Sequence, residues 1–283
     1  MRSSQSSAMQ FTCNKFKLNL TRPHVMGIIN VTPDSFSDGG QYANTALAVA
    51  HGMQLIQEGA DILDIGGEST RPGALPVSVD EELNRVIPVI QALNKIASVP
   101  ISIDTYKPEV MREAIGAGAD IVNDVRALQE DGALEVIVKS NVGVCLMHMQ
   151  GTPPTMQTAP HYNNVLHEVQ SFLVARLNAL VDAGVAKNRI LLDPGFGFGK
   201  RTQDNIELLQ KLEVLVNIGQ PILVGLSRKS ILGAIAGANA EQKLYAGIAA
   251  SIISVMKGAK IVRVHDVKAT VDAFKVFNAL QTN

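Results

Sequence analysis

Polar residues follow the short apolar runs of this sequence, at the points where β-strands would end. The set is Asn30, Asp64, Asp104, Asn123, His148, Asp193, Ser227 with Arg228 and Lys229, and Arg263 with His265. Any one of them could simply cap a helix or form a turn. Their recurrence after every one of eight apolar runs instead favours a shared functional site.

One group within this set consists of Asp104, Asn123 and Asp193. A carboxylate accepts two parallel N–H bonds, and an asparagine amide offers both a donor and an acceptor. These groups suit the edge of a flat nitrogen heterocycle such as a 2-amino-pyrimidinone. We interpret them as candidate heterocycle-binding residues.

A second group is cationic and follows the last two apolar runs, with Lys229 on one and Arg263 and His265 on the other. The guanidinium is a planar fork of donors that matches phosphate oxygens, and histidine can donate one more hydrogen bond. In a barrel of eight strands, phosphate sites are common after the seventh and eighth. The sequence therefore predicts an anion site beside the heterocycle site.

Three segments rich in glycine lie near these residues. VTPDSFSDGG (31–40) and GGESTRPGALP (66–76) could be mobile lids that exclude water, or ordinary surface connections. GFGFGK (195–200) superficially resembles a phosphate-binding loop but lacks the P-loop spacing. Phe198 is better suited to form an aromatic wall against a flat ring.

The elements that must position these residues alternate along the chain, short β-rich runs with longer segments of helical period. The predicted strands are 24–30, 60–67, 100–105, 120–124, 142–149, 189–195, 221–227 and 259–266. Several are nearly continuous apolar runs, as parallel strands covered by helices should be. In KPEVMREAIGAG, Pro108 marks a helix start and glycine its end.

This alternation predicts an α/β fold, a (β/α)8 TIM barrel with a short N-terminal β-hairpin. An open, doubly wound sheet is the competing fold, but eight even units without G-x-G-x-x-G after the first strand favour the barrel. Residues 10–20 alternate enough to form the hairpin, which we expect to plug the barrel floor. We expect residues 1–9 to be a disordered extension and residues 10–283 a single domain.

Composition limits the classes of partner. The formal net charge of −1, from 25 basic and 26 acidic side chains, argues against nucleic acid or a membrane surface. Cys13 and Cys145 offer neither a disulfide framework nor zinc spacing, and Cys145 lies in an apolar run where a buried thiol is expected. With no secretory signal or membrane-spanning run recognised, we expect a cytoplasmic location.

Taken together, eight motifs resemble the bacterial dihydropteroate synthase family of pterin-binding TIM barrels. They occur in the family's order, from about residue 24 to residue 275, and they are MGIINVTPDSFSDGG, DIGGESTRPGA, ISIDTYKPEV, IVNDV, CLMHMQG, LLDPGFGFGK, LVGLSRKS and IVRVHDV. The resemblance implies condensation of 6-hydroxymethyl-7,8-dihydropterin diphosphate with p-aminobenzoate, releasing pyrophosphate with the help of Mg²⁺. It also implies a homodimer and inhibition by sulfonamides.

The resemblance assigns a role to each matching residue. It implies pterin binding by Asp104, Asn123, Met147, Asp193 and Lys229. It implies diphosphate binding by Asn30, Arg263 and His265, with Asn30 also reaching the metal. It implies p-aminobenzoate binding by Phe36, Thr70, Arg71, Pro72, Phe198 and Ser230. The catalytic residues would be Asp38, Arg263, His265 and Lys229. If pyrophosphate leaves in an SN1-like step, Asp38 would lie near the cation that forms.

Two other classes remain open. A methyltransferase that binds methyl-tetrahydrofolate on the same barrel would share the Asp and Asn residues but would have no pyrophosphate to hold. A barrel that binds pterin without catalysis would not need the cations and the lid segments. Glu68 could brace a loop rather than touch substrate, and of Arg228 and Lys229 the resemblance implies that the lysine points inward. Helices containing YAGIAASIISVM could form a twofold interface or simply clad the barrel.

Overall fold

The computed structural model describes residues 9–32, 40–69, 73–152, 155–237 and 242–281. Within these residues the strands are β1 (Gln10–Cys13), β2 (Phe16–Asn19), β3 (His24–Asn30), β4 (Ile62–Gly66), β5 (Ile101–Asp104), β6 (Ile121–Asp124), β7 (Gly143–Met147), β8 (Ile190–Asp193), β9 (Leu223–Val224) and β10 (Ile261–Val264). The helices are α1 (Gly40–Glu58), α2 (Val79–Asn94), α3 (Pro108–Ala117), α4 (Ala133–Val138), α5 (Val165–Asp182), α6 (Thr202–Gln210), α7 (Leu212–Val216), α8 (Ser230–Ala236), α9 (Gln242–Met256) and α10 (Val267–Gln281).

Strands β3 to β10 form one parallel sheet in the order β8-β7-β6-β5-β4-β3-β10-β9. A parallel bridge between Leu192 and Ile222 joins the two ends of this order. The sheet is thus a closed barrel with helices between its strands, and the predicted (β/α)8 fold is confirmed. Each observed strand lies within its predicted range, and β9 is the most shortened.

Local sequence sets the helix boundaries. Helix α3 begins with Pro108, whose missing N–H is not needed in a first turn, and ends at Gly118 with φ 115°. At α2, the side chain of Ser78 accepts a hydrogen bond from the backbone N–H of Glu81, satisfying a donor that the helix leaves unpaired. The two ends of α3 agree with the proline and glycine signals read from the sequence.

The barrel interior is apolar at the amino ends of the strands. Met26, Ile62, Ile121, Cys145, Leu191, Leu223 and Ile261 form a buried cluster with Phe11, Cys13 and Leu20 of the hairpin segment. A Cβ built at Gly143 would lie 2.4 Å from Phe11 Cζ, so the ring occupies space that a side chain there would need. The antiparallel β1–β2 hairpin therefore plugs this end, as predicted.

The outer faces of the strands pack against the helices in a separate apolar core that includes Ile29, Ile65, Ile103 and Val144. Because side chains alternate across a strand, an apolar outer face leaves the residues between to point inward. Toward the carboxyl ends of β4, β5, β6, β8 and β10 these inward residues become polar. None of the helices in the described ranges has the length and apolar character needed to cross a bilayer.

Candidate active site

The register of the parallel strands brings the predicted polar residues to one rim of the barrel. Asn30 pairs with Gly66, Gly66 pairs with Asp104, and Asp104 pairs with Asn123. A Cβ built at Gly66 would lie 3.8 Å from Asp104 Oδ2 and 4.0 Å from Asn30 Oδ1. The missing side chain at Gly66 therefore leaves a space bordered by the polar atoms of both neighbours.

Arg263 forms the centre of a buried ion-pair network at this rim. Its Nε donates to Asp64 Oδ2 over 2.6 Å, and its Nη2 donates to Asp104 Oδ2 over 2.6 Å. Asp64 is 0% exposed and Asp104 8% exposed, whereas 20% of the Arg263 side chain is accessible. The predicted cationic and carboxylate groups are thus in direct contact, which spacing along the chain did not indicate.

The protonation of this network follows from its burial. Burial raises the pKa of Asp104, and the charge of Arg263 opposes that rise. Burial lowers the pKa of Arg263, but the Asp64 and Asp104 carboxylates outweigh it and hold the pKa above its usual value. Arg263 therefore stays charged. Among the described residues, the second oxygens Asp64 Oδ1 and Asp104 Oδ1 are buried without a hydrogen-bond partner.

Asp64 also orients Asn123. Asn123 Nδ2 donates to Asp64 Oδ2 over 3.2 Å, so the amide nitrogen is held on the Asp64 side and Oδ1 is left to accept other donors. The sequence placed Asp64 at a strand end but assigned it no role. The available signal was its position in β4, two residues before the strand's carboxyl end, in the same inward phase as Gly66.

Asp193 and Met147 lie on the adjacent strands β8 and β7, paired with each other in register and both buried. Asp193 Oδ1 accepts a 2.7 Å hydrogen bond from the backbone N–H of Gly195. Burial raises the pKa of Asp193, with the charge of Lys229 opposing. In the closed barrel β8 is separated from β10, which carries Arg263, by β9 alone, and the charges of Asp193 and Arg263 act on each other.

Lys229 points inward and Arg228 outward, as the resemblance implied. Arg228 adopts φ 59°, a left-handed conformation, and its guanidinium pairs with Asp266 at 2.5 Å. Lys229 Nζ donates to the carbonyl of Phe196 and lies 4.4 Å from the centre of the Phe198 ring. Burial lowers the pKa of Lys229 to about 8, with Asp193 opposing.

The remaining predicted residues in the described ranges end or follow strands of the same barrel. Asn30 is the last residue of β3 and is half-buried. His265, just after β10, is half-buried, and its Nδ1 lies 3.2 Å from Ser227 Oγ. Ser230 is the first residue of α8 and is exposed. Phe36, Asp38, Thr70, Arg71 and Pro72 lie outside the described residues.

A second buried ion cluster joins Glu68 and Val77 of the β4–α2 connection to the residues that follow β5. Lys107 Nζ donates to the carboxylates of Glu68 and Glu82, the latter at 2.5 Å, and to the carbonyl of Val77 at 2.7 Å. Tyr106 Oη donates to Glu68 Oε1 over 3.2 Å. Glu68 therefore braces the β4–α2 connection, the alternative that the sequence had left open.

Within the described part of the chain, no group of three or more His, Cys, Asp and Glu residues is placed to hold an ion. Mg²⁺, however, is commonly held by one or two protein oxygens together with substrate phosphates and water. Asn30 Oδ1, beside the space at Gly66, is an oxygen of that kind. The residues fit an ion that arrives with a phosphate group.

The fold and this rim define a TIM-barrel enzyme whose site combines carboxylates, an amide and cations. The family of pterin binding enzymes matches residues 26–265 of the chain. The chain belongs to this family.

The chain is also similar to individual proteins of this family, which share the name dihydropteroate synthase. Dihydropteroate synthase of Escherichia coli K12 is 51% identical over 262 residues, covering 93% of each chain. The structure of Xanthomonas albilineans dihydropteroate synthase with 4-aminobenzoic acid is 52% identical, with TM-score 0.92, covering 98% of this chain and all of that one. Yersinia pestis dihydropteroate synthase in a sulfonamide complex is 47% identical with TM-score 0.92, covering 97% and 100%.

Proposed function

We propose that this transferase condenses 6-hydroxymethyl-7,8-dihydropterin diphosphate with p-aminobenzoate, forming 7,8-dihydropteroate and pyrophosphate. One structural observation carries the proposal. Asp104 and Asn123 are buried with acceptor oxygens still available, directly beside a charged arginine. A heterocycle rich in N–H donors that carries a polyanionic tail matches both features. The relatives described above, which are about half identical in sequence, are named dihydropteroate synthase.

The heterocycle would lie among Asp104, Asn123, Asp193 and Lys229, with Met147 against its face. The available oxygens of Asp104 and Asn123 would accept N–H donors of the pterin, and an unmade bond at a buried acceptor costs about 1–3 kcal/mol. Lys229 would donate to a ring acceptor. This set favours a bicyclic ring with donors on one edge over an apolar ring of the same size.

The diphosphate would lie against Arg263, His265 and Asn30. A guanidinium carries five N–H donors, of which the network uses Nε and one on Nη2, so others remain for phosphate oxygens. Because Asp64 and Asp104 hold the guanidinium in place, its donors are oriented before substrate arrives. Charge that builds on the leaving oxygens would therefore meet fixed donors.

We propose a dissociative route in which pyrophosphate leaves before the amine attacks. The aromatic amine of p-aminobenzoate is neutral near pH 7 and needs little general-base help, so departure of the polyanion is the harder step. Positive charge would spread from the exocyclic methylene into the dihydropterin ring. Asp38, in the segment after β3, would stabilise this cation, and closure of that segment would exclude water.

Mg²⁺ would neutralise the charge of the diphosphate when bound. Asn30 would hold it through Oδ1, together with oxygens of the substrate. Removing divalent cations with EDTA should abolish turnover, and restoring Mg²⁺ should recover it. Full turnover in EDTA would contradict this part of the proposal.

The p-aminobenzoate would lie against Phe198 and Ser230, with Phe36, Thr70, Arg71 and Pro72 completing the site. The intact PDSFSDGG and GFGFGK segments support sensitivity to sulfonamides. Sulfamethoxazole should therefore raise the apparent KM for p-aminobenzoate without changing the maximal rate. Normal turnover that the drug fails to compete against would contradict this assignment.

The deciding experiment mixes purified protein with the pterin diphosphate, p-aminobenzoate and Mg²⁺, and identifies the product by mass spectrometry. We expect the mass of 7,8-dihydropteroate and one pyrophosphate released per product. Parallel reactions supply methyl-tetrahydrofolate and a corrinoid acceptor instead. Methyl transfer without pteroate formation would establish the related methyltransferase activity and overturn the proposal.

We also propose a homodimer formed through helices α9 and α10. Large apolar side chains stand exposed there, with Tyr245 at 71%, Met256 at 67%, Val276 at 62% and Leu280 at 79%. Exposed apolar patches of this kind commonly mark protein interfaces. Light scattering of the wild-type protein should give twice the mass of one chain. The double variant Tyr245→Glu, Met256→Glu should give the mass of a single chain. An unchanged mass for that double variant would contradict the assignment.

A cytoplasmic location completes the proposal. Cys13 and Cys145 are buried free thiols, a state that suits a reducing compartment. Fractionation of the source cells with an antibody to the protein tests this location, and recovery outside the cytoplasmic fraction would contradict it.

A further inference from the structure

Lys200 ends the GFGFGK segment and is almost completely buried, at 2% exposure. Its Nζ lies 2.9 Å from His148 Nδ1, 2.8 Å from the carbonyl oxygen of Gly195 and 3.1 Å from that of Phe198. A fourth acceptor, the carbonyl oxygen of His148, lies at 3.2 Å. An ammonium has three hydrogens, so these contacts use its whole donor capacity. The lysine therefore joins two separate loops through their backbones.

The two loops are too close for any side chain between them. Gly195 has φ 68°, and a Cβ there would lie 1.9 Å from the carbonyl oxygen of His148. Gly199 has φ 59°, and a Cβ there would lie 2.2 Å from the carbonyl oxygen of Gln150. Of these two carbonyl oxygens, that of His148 lies 3.2 Å from Lys200 Nζ, so the lysine can donate a hydrogen bond to it.

Burial shifts the protonation of both partners: it lowers the pKa of Lys200 to about 7, while the charges of Asp193 and Asp204 favour its ammonium form. Burial lowers the pKa of His148 to about 3, with the charge of Lys200 adding to the effect, so the ring is neutral near pH 7. A neutral ring with its hydrogen on Nε2 presents Nδ1 as an acceptor, which is what the ammonium requires. His148 is itself held edge-on against Phe172, at 5.0 Å between ring centres.

The segment fixed by Lys200 presents two groups to the proposed active site. The Phe198 ring contacts Lys229 Nζ at 4.4 Å, and the carbonyl of Phe196 accepts a hydrogen bond from that same nitrogen. Lys200 bonds the carbonyl of Phe198 directly and that of Gly195 just before Phe196. A shift of this backbone would move the Phe198 ring, and with it the Phe196 carbonyl that accepts a hydrogen bond from Lys229.

We propose that Lys200 is a positioning residue that fixes Phe198 in the p-aminobenzoate subsite, without itself touching substrate. The inference rests on the proposed function for the identity of that subsite. Other bonds also hold the segment, from Tyr162 Oη to the Gly199 carbonyl and from the Gly197 N–H to Asn205 Oδ1. Loss of Lys200 should therefore loosen residues 195–198 without releasing the whole loop.

The kinetic test replaces Lys200 by methionine, which keeps the length of the side chain and removes the ammonium. For Lys200→Met we expect the KM for p-aminobenzoate and the inhibition constant of a sulfonamide each to rise about tenfold, with the KM for the pterin diphosphate within about threefold. The control is Phe11→Leu, which weakens the barrel floor at the opposite end. A merely structural role would give both variants the same kinetic pattern, and that outcome would overturn the proposal.

A spectroscopic test is independent of turnover. The sequence contains no tryptophan, so Phe198→Trp gives a protein with a single indole at the position in question. Without substrates, its anisotropy decay should gain a fast component when Lys200→Met is added, and should not when Phe11→Leu is added. An unchanged decay would overturn the positioning role.

The two tests separate the failures. A faster decay in a protein that forms no pteroate would leave the positioning of residue 198 intact and remove the proposed function. Pteroate formation with equal losses in both KM values would retain the function and refute the role of Lys200.

Discussion

Arg263 is the residue whose removal should perturb this protein most directly, because two buried carboxylates depend on its charge. Substituting it by methionine would leave Asp64, 0% exposed, and Asp104, 8% exposed, without the cation that contacts each at 2.6 Å. The methionine fills similar space with apolar atoms. The experiment therefore measures what happens to the carboxylates rather than to a cavity.

The magnitude follows from the burial of the network. Removing one partner of a buried ion pair destabilises proteins by about 3–5 kcal/mol. Because 20% of the Arg263 side chain is accessible, water can reach part of the site, and we expect the lower end, about 3 kcal/mol at pH 7.5. The matched control is Arg228→Met, whose guanidinium is 55% exposed beside Asp266. It should lose less than about 1 kcal/mol.

The loss should depend on pH in a defined direction. Without Arg263 the burial that already raises the pKa of Asp104 acts unopposed, so the folded-state pKa stands above the unfolded value of about 3.9. The folded protein then binds more protons than the unfolded chain in that interval. Stability of the variant is retained at low pH and falls as pH rises through the raised pKa, by at most about 1.4 kcal/mol per pH unit for one carboxylate.

Urea unfolding followed by circular dichroism between pH 5 and 8 measures these quantities. We expect the deficit of Arg263→Met relative to wild type to be smaller at pH 5 than at pH 8. Adding Asp64→Asn to Arg263→Met should recover part of the loss, because one of the two unpaired charges is gone. A deficit independent of pH, or no recovery in the double variant, would refute the electrostatic reasoning.

Three further changes test other parts of the molecule. Lys107→Met leaves Glu68 and Glu82 unpaired and should cost about 3 kcal/mol in urea unfolding at pH 7, while a loss below about 1 kcal/mol would mean that the cluster is solvated. His148 is buried with its pKa lowered to about 3, so its own contribution to stability should be lost as pH drops below about 6.5, by at most about 1.4 kcal/mol per unit, while the buried Asp104 and Asp193 contribute with the opposite sign. His148→Asn should remove this contribution, so the difference in stability between wild type and variant should change with pH below about 6.5, and a constant difference would exclude His148 as its source. Asp38→Asn should lower kcat far more than it weakens binding of the pterin diphosphate by calorimetry, whereas equal losses would argue against a role in stabilising the cation.

Much of the barrel was predictable because the signals are local. Pro108 and Gly118 mark the ends of α3 through backbone conformations that neighbouring residues do not alter. The strand-end residues could be assigned to one rim because parallel strands align their carboxyl ends. Register then brought Asp104 and Asn123 into adjacent positions on β5 and β6.

The pairing of charges within the rim was not predictable in the same way. Arg263 meets Asp64 across 199 positions of sequence, and Lys200 meets His148 across 52. Spacing along the chain carries no information on contacts of that range. Lys200 was also concealed by its motif, since a lysine after three glycines is expected in an exposed loop. Two of its acceptors are carbonyls of its own segment, but the ring nitrogen and the carbonyl of His148 come from the loop after another strand.

The network around Arg263 bears on how one site can hold a ring with N–H donors and an anion together. Asp64, Asp104 and Asp193 face Arg263 and Lys229, so fully ionised carboxylates would exceed the cations by one charge and repel a diphosphate. Burial raises the pKa of both Asp104 and Asp193, which lowers that excess as pH falls, and Arg263 remains charged throughout. Since Asp64 and Asp104 contact only the Nε and Nη2 of the guanidinium, an arriving phosphate need not displace either carboxylate to reach its remaining donors. The ion pairs thus orient the arginine for the anion while leaving oxygens of the same carboxylates for the heterocycle.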